Sequence, residues 1–226
     1  MKDSRMYVDS VGSINFFVGC YHACTYCVPT FQRQVKRSGC PTCKTYVPHP
    51  HLERLNHSPP KTPDGTFIFY PSASDWAFIP EFVAKQAIEY MCRYKDRSFL
   101  CQSKNPDALA NRHISPNAII GVTIETDNAY LTDKVSAAPT PKQRYDSFKA
   151  INHPRKMLTI EPIMDFSWEF IEWIKDLNPW RVYVGYNSHP EAVKLVEPSK
   201  AKTLKLINDL RNAGIVVKEK LIREAI

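Results

Sequence analysis

The sequence predicts an α/β fold with a parallel sheet, in the form of a partial (β/α)6, TIM-like barrel. Short β-branched or aromatic runs alternate with longer segments of helical periodicity, a pattern typical of strand–helix–strand units. Six strand candidates occur within 226 residues, whereas a complete eight-unit barrel needs about 250 residues. Hydrophobic residues make up 43% of the chain and charged residues 23%, which is ordinary for a globular protein. Residues 1–226 are therefore predicted to form a single barrel domain.

The predicted strands are short apolar or β-branched runs, at residues 13–18, 66–70, 98–102, 118–124, 157–160 and 181–186. Apolar stripes with a spacing of three or four residues predict helices at 81–94 and 167–177. A third helix is predicted at 200–213, because Ser199 can cap its first turn and Gly214 can end it. The apolar run 215–217 that follows could form one more short strand, which the six-strand prediction does not count.

Residues 28–63 are rich in proline, poor in apolar side chains and without a sustained period, so they are predicted to be an irregular insertion after the first strand. An insertion of this length in a compact domain is usually functional. It contains Cys40, Cys43, His49 and His51 in a C-x2-C-x5-H-x-H arrangement. Three interpretations are open: a tetrahedral zinc ion that holds the insertion together, a second iron–sulfur cluster on the two cysteines, or two surface thiols beside unrelated histidines.

Three cysteines directly after the first predicted strand carry the chemical prediction. Cys20, Cys24 and Cys27 form a C-x3-C-x2-C motif, and five of the seven cysteines of the chain fall within residues 20–43. Such crowding in a chain without an export signal indicates metal binding rather than disulfides. Three thiolates on a tight loop can bind three irons of a four-iron cluster, whereas ordinary electron-transfer clusters take four cysteines. The fourth iron is then open to a small molecule.

The cysteine spacing, with the aromatic Tyr26 just before the third cysteine, resembles the signature of the radical S-adenosylmethionine (SAM) superfamily. The strand-end segments around Glu125 and Glu161 also resemble a poorly characterised radical SAM group found in phages, bacteria and archaea. The resemblance implies a 4Fe-4S cluster whose free iron chelates SAM. It also implies reductive cleavage of SAM to a 5′-deoxyadenosyl radical, which abstracts a hydrogen atom from a substrate that the sequence does not identify. A reductase, a ferredoxin or a flavodoxin would be the electron donor.

Polar residues at the predicted strand ends are the candidates for binding SAM, because the catalytic face of such a barrel is formed by the carboxyl ends of its strands. The segment after the second strand holds Ser72, Ser74 and Asp75 where many radical SAM proteins carry a Gly-Gly-Glu type motif. A turn or a helix cap would use the same three residues. The other candidates for cofactor contacts are Tyr26, Lys104, Thr123, Glu125, Glu161 and, for the adenine end, Asn187.

Two strand ends place a glutamate on the inner face. Side chains alternate along a strand, so Glu125 is predicted to lie on the same face as Thr123, and Glu161 on the same face as Thr159. A carboxylate inside a barrel must be paired or hydrogen-bonded. Each glutamate is therefore predicted either to recognise ribose, ammonium or substrate groups, or to form a structural ion pair, for example with Lys104.

Cys101 lies near the end of the third predicted strand. A thiol at that place is a candidate catalytic residue that returns a hydrogen atom to a substrate radical. The alternative is an ordinary small core side chain, the usual role of a buried cysteine.

The charge and hydropathy of the chain bear on its partners. A net charge of +7 favours a polyanionic substrate or partner, such as a nucleic acid or a nucleotide, if the charge is gathered on one face. No apolar run approaches the roughly 20 residues of a membrane span, and the first residues do not resemble a secretory signal, so a cytoplasmic protein without membrane contact is expected. The alternative function is a non-catalytic nucleic-acid-binding protein whose zinc ribbon uses Cys24, Cys27, Cys40 and Cys43.

Overall fold

The computed structural model describes residues 6–226 and contains a seven-stranded parallel sheet in the order β1-β4-β5-β6-β7-β8-β9. The strands of the chain are β1 Ser10–Ser13, β2 Phe17–Val18, β3 His49–Pro50, β4 Phe67–Phe69, β5 Phe99–Ser103, β6 Ala118–Thr123, β7 Lys156–Ile160, β8 Arg181–Val184 and β9 Val217–Glu219. β2 and β3 form a separate antiparallel pair. Successive strands of the sheet are neighbours, and the sheet curls into a half-barrel, so the predicted partial barrel is confirmed with seven strands instead of six.

Helices connect the strands. They are α1 Arg33–Val35, α2 Pro41–Thr45, α3 Glu81–Arg93, α4 Asp107–Ala110, α5 Ala129–Asp133, α6 Pro141–Ala150, α7 Glu169–Leu177 and α8 Lys200–Asn212. The three helices predicted from the sequence correspond to α3, α7 and α8, and their ends agree within two residues. As predicted, the Ser199 hydroxyl caps α8 by accepting a hydrogen bond from the Lys202 backbone N–H.

The two faces of the sheet bury different clusters. The outer face packs against the long helices, with side chains such as Ile120 and Leu158 meeting apolar residues of α3, α6, α7 and α8. The inner face carries a smaller cluster that fills the half-barrel, built from Phe67, Phe69, Leu100, Ile119, Met157, Tyr183 and Tyr7. Alternate residues of each strand therefore face opposite layers, as the pleat requires.

The segment before β1 enters the half-barrel. The fully buried Tyr7 ring packs against Tyr183, with the ring centroids 4.6 Å apart. Asp9 forms an ion pair with Arg181 at 2.7 Å, which links the start of β1 to the start of β8. The N-terminal segment thus closes one end of the barrel interior and leaves the other end open.

The first predicted strand, at residues 13–18, is wrong in its bounds. The sheet strand β1 ends at Ser13, and Phe17–Val18 pair with His49–Pro50 of the insertion instead. Between the two strands, the side chain of Asn15 accepts hydrogen bonds from the backbone N–H groups of Ser72 and Ala73. These contacts turn the chain away from the sheet, so the cysteine motif follows a short hairpin strand and not the first barrel strand.

The predicted last strand exists in a shifted position, because β9 spans Val217–Glu219 and pairs with β8. The insertion at 28–63 is not devoid of regular structure, since it contains α1, α2 and β3. Among the residues that the structure describes, no helix is both long enough and apolar enough to cross a bilayer.

Candidate active site

A cavity of about 1120 Å³ opens at the carboxyl ends of the barrel strands. Most of the residues proposed from the sequence line it, although they come from distant parts of the chain. The lining includes Cys20, Cys24, Tyr26, Cys27, Ser72, Ser74, Asp75, Lys104, Thr123, Glu161 and Asn187. Glu125 lies behind the wall and is fully buried. The cavity is thus the place where the cysteine motif and the strand ends meet.

The cysteine loop is fixed to the segment after β4 through Gly19. The Gly19 N–H donates to the Ala73 carbonyl at 2.9 Å, and the Ser74 hydroxyl donates to the Gly19 carbonyl at 2.5 Å. Gly19 has a φ of +98°, and a Cβ atom there would lie 2.5 Å from the Val47 backbone. Only glycine fits this close approach without strain, so Gly19 sets the position of Cys20.

Asp75 ties the same loop to the end of β5. Its carboxylate lies 3.2 Å from the His22 ring and accepts hydrogen bonds from the Ser103 hydroxyl at 2.5 Å and the Lys104 N–H at 2.8 Å. Burial opposes the charge, but these contacts outweigh it and lower the pKa of Asp75. Asp75 also caps a short helical turn by accepting from the Ala77 N–H, so it has the helix-cap role considered in the sequence.

Glu125 is the centre of a buried charge cluster. It accepts hydrogen bonds from Arg144 at 2.6 Å, from the Tyr26 hydroxyl at 2.5 Å and from Lys104. Burial disfavours the charged carboxylate, yet Arg144 and Lys104 hold the pKa of Glu125 well below its usual range. Burial likewise opposes the charge of Lys104, whereas Cys24 and Glu125 raise its pKa. The ion-pair alternative for Glu125 thus describes what the structure shows.

Glu161 has different surroundings. One carboxylate oxygen pairs with Lys220 at 2.6 Å, while the other, Oε2, is buried without a hydrogen-bond partner. Burial raises the pKa of Glu161, and the attraction of Lys220 only partly offsets the rise. A buried acceptor on a cavity wall is costly unless a ligand satisfies it. Glu161 lines the cavity and is a candidate to accept a hydrogen bond from a ligand there.

A polar chain crosses the floor of the cavity. The Tyr7 hydroxyl lies 2.8 Å from Thr159 Oγ1 and donates to Gln102 at 2.5 Å, and Gln102 in turn donates to Thr123 at 2.6 Å. Thr123 and Thr159 thus face the interior as alternation predicted. Burial raises the pKa of Tyr7 far above its usual value, which keeps the hydroxyl neutral.

The remaining candidates lie at different distances from the cavity. The Asn187 side chain lines the wall and donates to the Val193 carbonyl at 2.6 Å, which holds the loop after β8. Cys101 lies on the outer face of the sheet, where its sulfur is 3.8 Å from the Met91 sulfur of α3. The structure does not bring Cys101 to the cavity, so a hydrogen-donor role has no geometric support, and burial raises the pKa of its thiol.

Cys20, Cys24 and Cys27 are brought to the same cavity by the loop that carries them. All three line the cavity, and Cys24 Sγ lies 3.1 Å from the Ser136 hydroxyl. Within the described residues 6–226, the only three or more ligand atoms that converge closely enough for one metal ion belong to the insertion. The three thiols line one cavity, but among the described residues they do not form such a closely spaced ligand group.

Cys40 and Cys43 group with His49 and His51, whose ligand atoms all lie within 4.8 Å of one another. None of these four residues lines the cavity. The zinc ribbon of Cys24, Cys27, Cys40 and Cys43 considered in the sequence finds no support, because Cys40 and Cys43 group with the two histidines whereas Cys24 and Cys27 line the cavity.

Several site residues carried no signal in the sequence. Arg144 lies in the middle of α6 and resembles any charged residue of a surface helix until its 1% exposure is known. Tyr7 and Gln102 meet only through the curl of the sheet. The sequence shows a glycine directly before the first cysteine of the motif. It does not show the tight contact of Gly19 with Val47, because that contact depends on where the insertion folds.

The chain combines a curled parallel sheet and outer helices with a loop of three thiols at the carboxyl ends of the strands. This combination defines a class of fold. It is the partial barrel that the radical SAM resemblance implies. Solved structures that the chain resembles include those of spore photoproduct lyase.

A cysteine-to-alanine variant of the lyase with dinucleoside spore photoproduct has a TM-score of 0.61 and 12% identity, covering 92% of this chain and 76% of that chain. The lyase complexed with the same dinucleoside has a TM-score of 0.60 and 12% identity, covering 92% and 76%. A tyrosine-to-phenylalanine variant covers 91% and 75% at a TM-score of 0.60 and 12% identity. No family model and no curated protein matches the chain. The likeness shows the fold and confirms the predicted architecture.

Proposed function

We propose that this chain is a radical SAM enzyme that holds a 4Fe-4S cluster on Cys20, Cys24 and Cys27. The observation that carries the proposal is that all three thiols of the C-x3-C-x2-C loop line one cavity at the carboxyl ends of the strands. When bound, the cluster and SAM supply one-electron reductive cleavage of a carbon–sulfur bond and hence hydrogen-atom abstraction. The rest of the site has binding and positioning roles.

The protein supplies a rigid frame for the thiols. Contacts to Gly19 and from Asp75 to His22 fix the first part of the loop. The Tyr26 hydroxyl is held by Glu125 and Lys104, which locks the residue before Cys27. Because the ligands are already fixed, the site does not have to reorganise when the cofactor binds. A cavity inside a barrel also limits the access of water to a reactive radical.

The cavity wall also offers groups for SAM. Glu161 Oε2, buried and unpartnered, is suited to accept a hydrogen bond from a ribose hydroxyl or from the ammonium group. Ser72 lies on the wall beside the cysteine loop, and its hydroxyl donates a hydrogen bond to Asn15 Oδ1 at 3.1 Å. Asn187 lies in the loop after β8 and lines the cavity, and we assign it to the adenine end.

We further propose a nucleotide or nucleic-acid substrate. Arg33 and Arg37 of the insertion line the cavity mouth and are exposed, and neither has a carboxylate partner among the residues that the structure describes. Free guanidinium groups at a cavity mouth favour phosphate, which they bind in a bidentate manner. The solved lyase structures with a dinucleoside agree with this substrate class.

Anaerobic purification tests the cluster. The chain is expected to contain about four irons, the content of one 4Fe-4S cluster, and the reduced protein should give an electron paramagnetic resonance signal that changes when SAM is added. Cys24→Ala should lose the signal, and Cys92→Ala, at an exposed cysteine outside the cavity, should keep it. A colourless, iron-free chain after anaerobic reconstitution would remove the proposal.

Salt-dependent binding of a single-stranded oligodeoxynucleotide tests the substrate class. Replacing Arg33 and Arg37 by alanine should weaken binding and reduce the slope of log affinity against log salt by about 0.7 for each phosphate that is no longer neutralised. Replacing Lys142 and Lys205, which are exposed but paired with Asp146 and Asp209, is the matched control. Equal effects of the two double replacements would argue against a phosphate site at the cavity mouth.

A further inference from the structure

We propose that Cys40, Cys43, His49 and His51 bind one structural zinc ion, outside the cavity and independent of the cluster. The four residues come from two elements of the insertion. Cys40 is the N-cap residue just before α2 and Cys43 lies in the middle of that helix, whereas His49 lies in β3 and His51 just after it. The segment around them has few apolar side chains, and a metal can supply the folding free energy that such a segment lacks.

The distances between the ligand atoms suit a tetrahedral zinc site. Zinc bonds of about 2.3 Å to sulfur and about 2.0–2.1 Å to nitrogen place tetrahedral ligands about 3.3–3.8 Å apart. Cys43 Sγ lies 3.4 Å from His49 Nε2 and 3.3 Å from His51 Nε2. Cys40 Sγ lies 3.7 Å from His49 Nε2, and the two Nε2 atoms are 3.0 Å apart. The three sulfur–nitrogen distances fall in this range and the nitrogen–nitrogen distance is slightly shorter, and all four atoms lie within 4.8 Å of one another, close enough to bind one ion.

Both histidines are oriented by a second hydrogen bond. The Nδ1 atom of His49 lies 2.7 Å from the Val47 carbonyl, and that of His51 lies 2.9 Å from the Glu53 carboxylate. Such partners fix the ring and keep the proton on Nδ1, which leaves Nε2 free to bind a metal. Both imidazole rings are oriented by the same kind of hydrogen bond at Nδ1. This points to a metal site and not to a chance group of side chains.

Four protein ligands close the coordination sphere, which is the mark of a structural zinc site. The site also braces the cluster loop. β3, which carries His49, pairs with β2, and the His51 N–H donates to the Phe16 carbonyl at 2.7 Å. Two residues beyond β2 the chain reaches Cys20. A second iron–sulfur cluster is less suited to ligand atoms that lie within 4.8 Å of one another around a single point.

Metal analysis separates the two sites. The unmodified chain is expected to contain one zinc, and a variant with Cys20, Cys24 and Cys27 all replaced by alanine should keep the zinc and lose the iron. The double variant Cys40→Ser with Cys43→Ser should lose the zinc. Its control is Cys92→Ser with His113→Ala, two exposed positions away from the site.

Cobalt substitution of the unmodified chain gives a readout that does not depend on the variants folding. Co²⁺ in this site should show thiolate-to-cobalt charge transfer and the intense visible bands of tetrahedral cobalt. A weak octahedral spectrum, a chain without zinc, zinc retained by the double cysteine variant, or iron retained by the triple alanine variant would each overturn the proposal. Because the triple variant lacks the cluster ligands, this test stands apart from the test of radical SAM activity.

Discussion

Glu125 and Glu161 follow neighbouring strands at matching positions, since Thr123 pairs with Thr159 in the sheet register. Their surroundings are opposite. Glu125 is neutralised by Arg144 and Lys104 behind the cavity wall, whereas Glu161 has one satisfied and one unsatisfied oxygen on the wall itself. Two carboxylates from similar sequence segments therefore have different surroundings, and we propose a stabilising role for Glu125 and a binding role for Glu161.

The Glu125→Gln variant should be strongly destabilised. It leaves Arg144, which is 1% exposed, without its counter-charge, and breaking such a buried pair costs about 3–5 kcal/mol. For a domain of this size the melting temperature should fall by on the order of 10 °C. Glu172→Gln, which breaks an exposed pair with Lys175, should change stability by less than about 1 kcal/mol. Equal melting temperatures of the two variants would contradict the role given to Glu125.

The Glu161→Gln variant should lose affinity for SAM with little loss of stability. A hydrogen bond to a charged acceptor contributes about 1.5–3 kcal/mol, so the affinity of the cluster-loaded protein should fall by about tenfold to a hundredfold. Equilibrium dialysis against labelled SAM measures it, with Glu172→Gln as control. Unchanged affinity would show that Glu161 does not contact the cofactor.

The stability of the Glu161→Gln variant should also differ from that of the unmodified chain in its dependence on pH. Because burial raises the pKa of Glu161 in the folded chain, the folded state holds this proton more tightly than the unfolded state does. The contribution of Glu161 to stability is therefore present in acid and is lost as pH rises through the raised pKa. The melting temperature of Glu161→Gln minus that of the unmodified chain should therefore increase as pH is raised from acid to neutral.

At the scale of elements, the cysteine loop depends on the insertion that packs over it. Gly19→Ala would put a Cβ atom 2.5 Å from the Val47 backbone at a positive φ, and an L-residue in that region costs roughly 1–2 kcal/mol before the clash is counted. Iron content after anaerobic reconstitution should drop sharply. Gly39→Ala, where a Cβ meets nothing within 4 Å, should keep full iron content. A Gly19→Ala protein with full iron content would mean that the loop is held by other contacts.

The sequence predicted elements whose signals are local. Helices α3, α7 and α8 have apolar stripes and caps, and the strands of the sheet interior are continuous apolar runs. The first strand was misplaced because Asn15 breaks it through hydrogen bonds to residues 57 and 58 positions away. Helix α6 was missed although its capping box of Thr140 and Gln143 is visible in the sequence, because the helix has little apolar periodicity.

In the candidate site, too, some residues could be predicted from local sequence signals and others could not. The cysteines, Glu161 and the four residues of the insertion were named from spacing and strand ends alone. Arg144 and Tyr7 could not be named, because their roles arise from a helix packing behind β6 and from the N-terminal segment entering the barrel. Local chemistry is readable from the chain, whereas long-range pairing appears only once the sheet has curled.

At the scale of the whole molecule, the hydrophobic core that stabilises the half-barrel and the cavity with the candidate site lie on different faces of the sheet. The outer face carries the large helix-packed core, and the inner face closes at one end around Tyr7 and opens at the other into the cavity. Residues of the insertion line that open end, Arg33 and Arg37 among them, whereas its histidine and cysteine site lies outside the cavity lining. The arrangement joins three thiols, an unsatisfied carboxylate and free basic groups around one space.

Quantification of 5′-deoxyadenosine tests the central claim most directly. Cluster-loaded protein, reduced with dithionite and supplied with SAM under anaerobic conditions, is expected to release 5′-deoxyadenosine and methionine in equal amounts, and Cys24→Ala treated in the same way is expected to release none. A fully iron-loaded, reduced protein that leaves SAM intact would contradict the account.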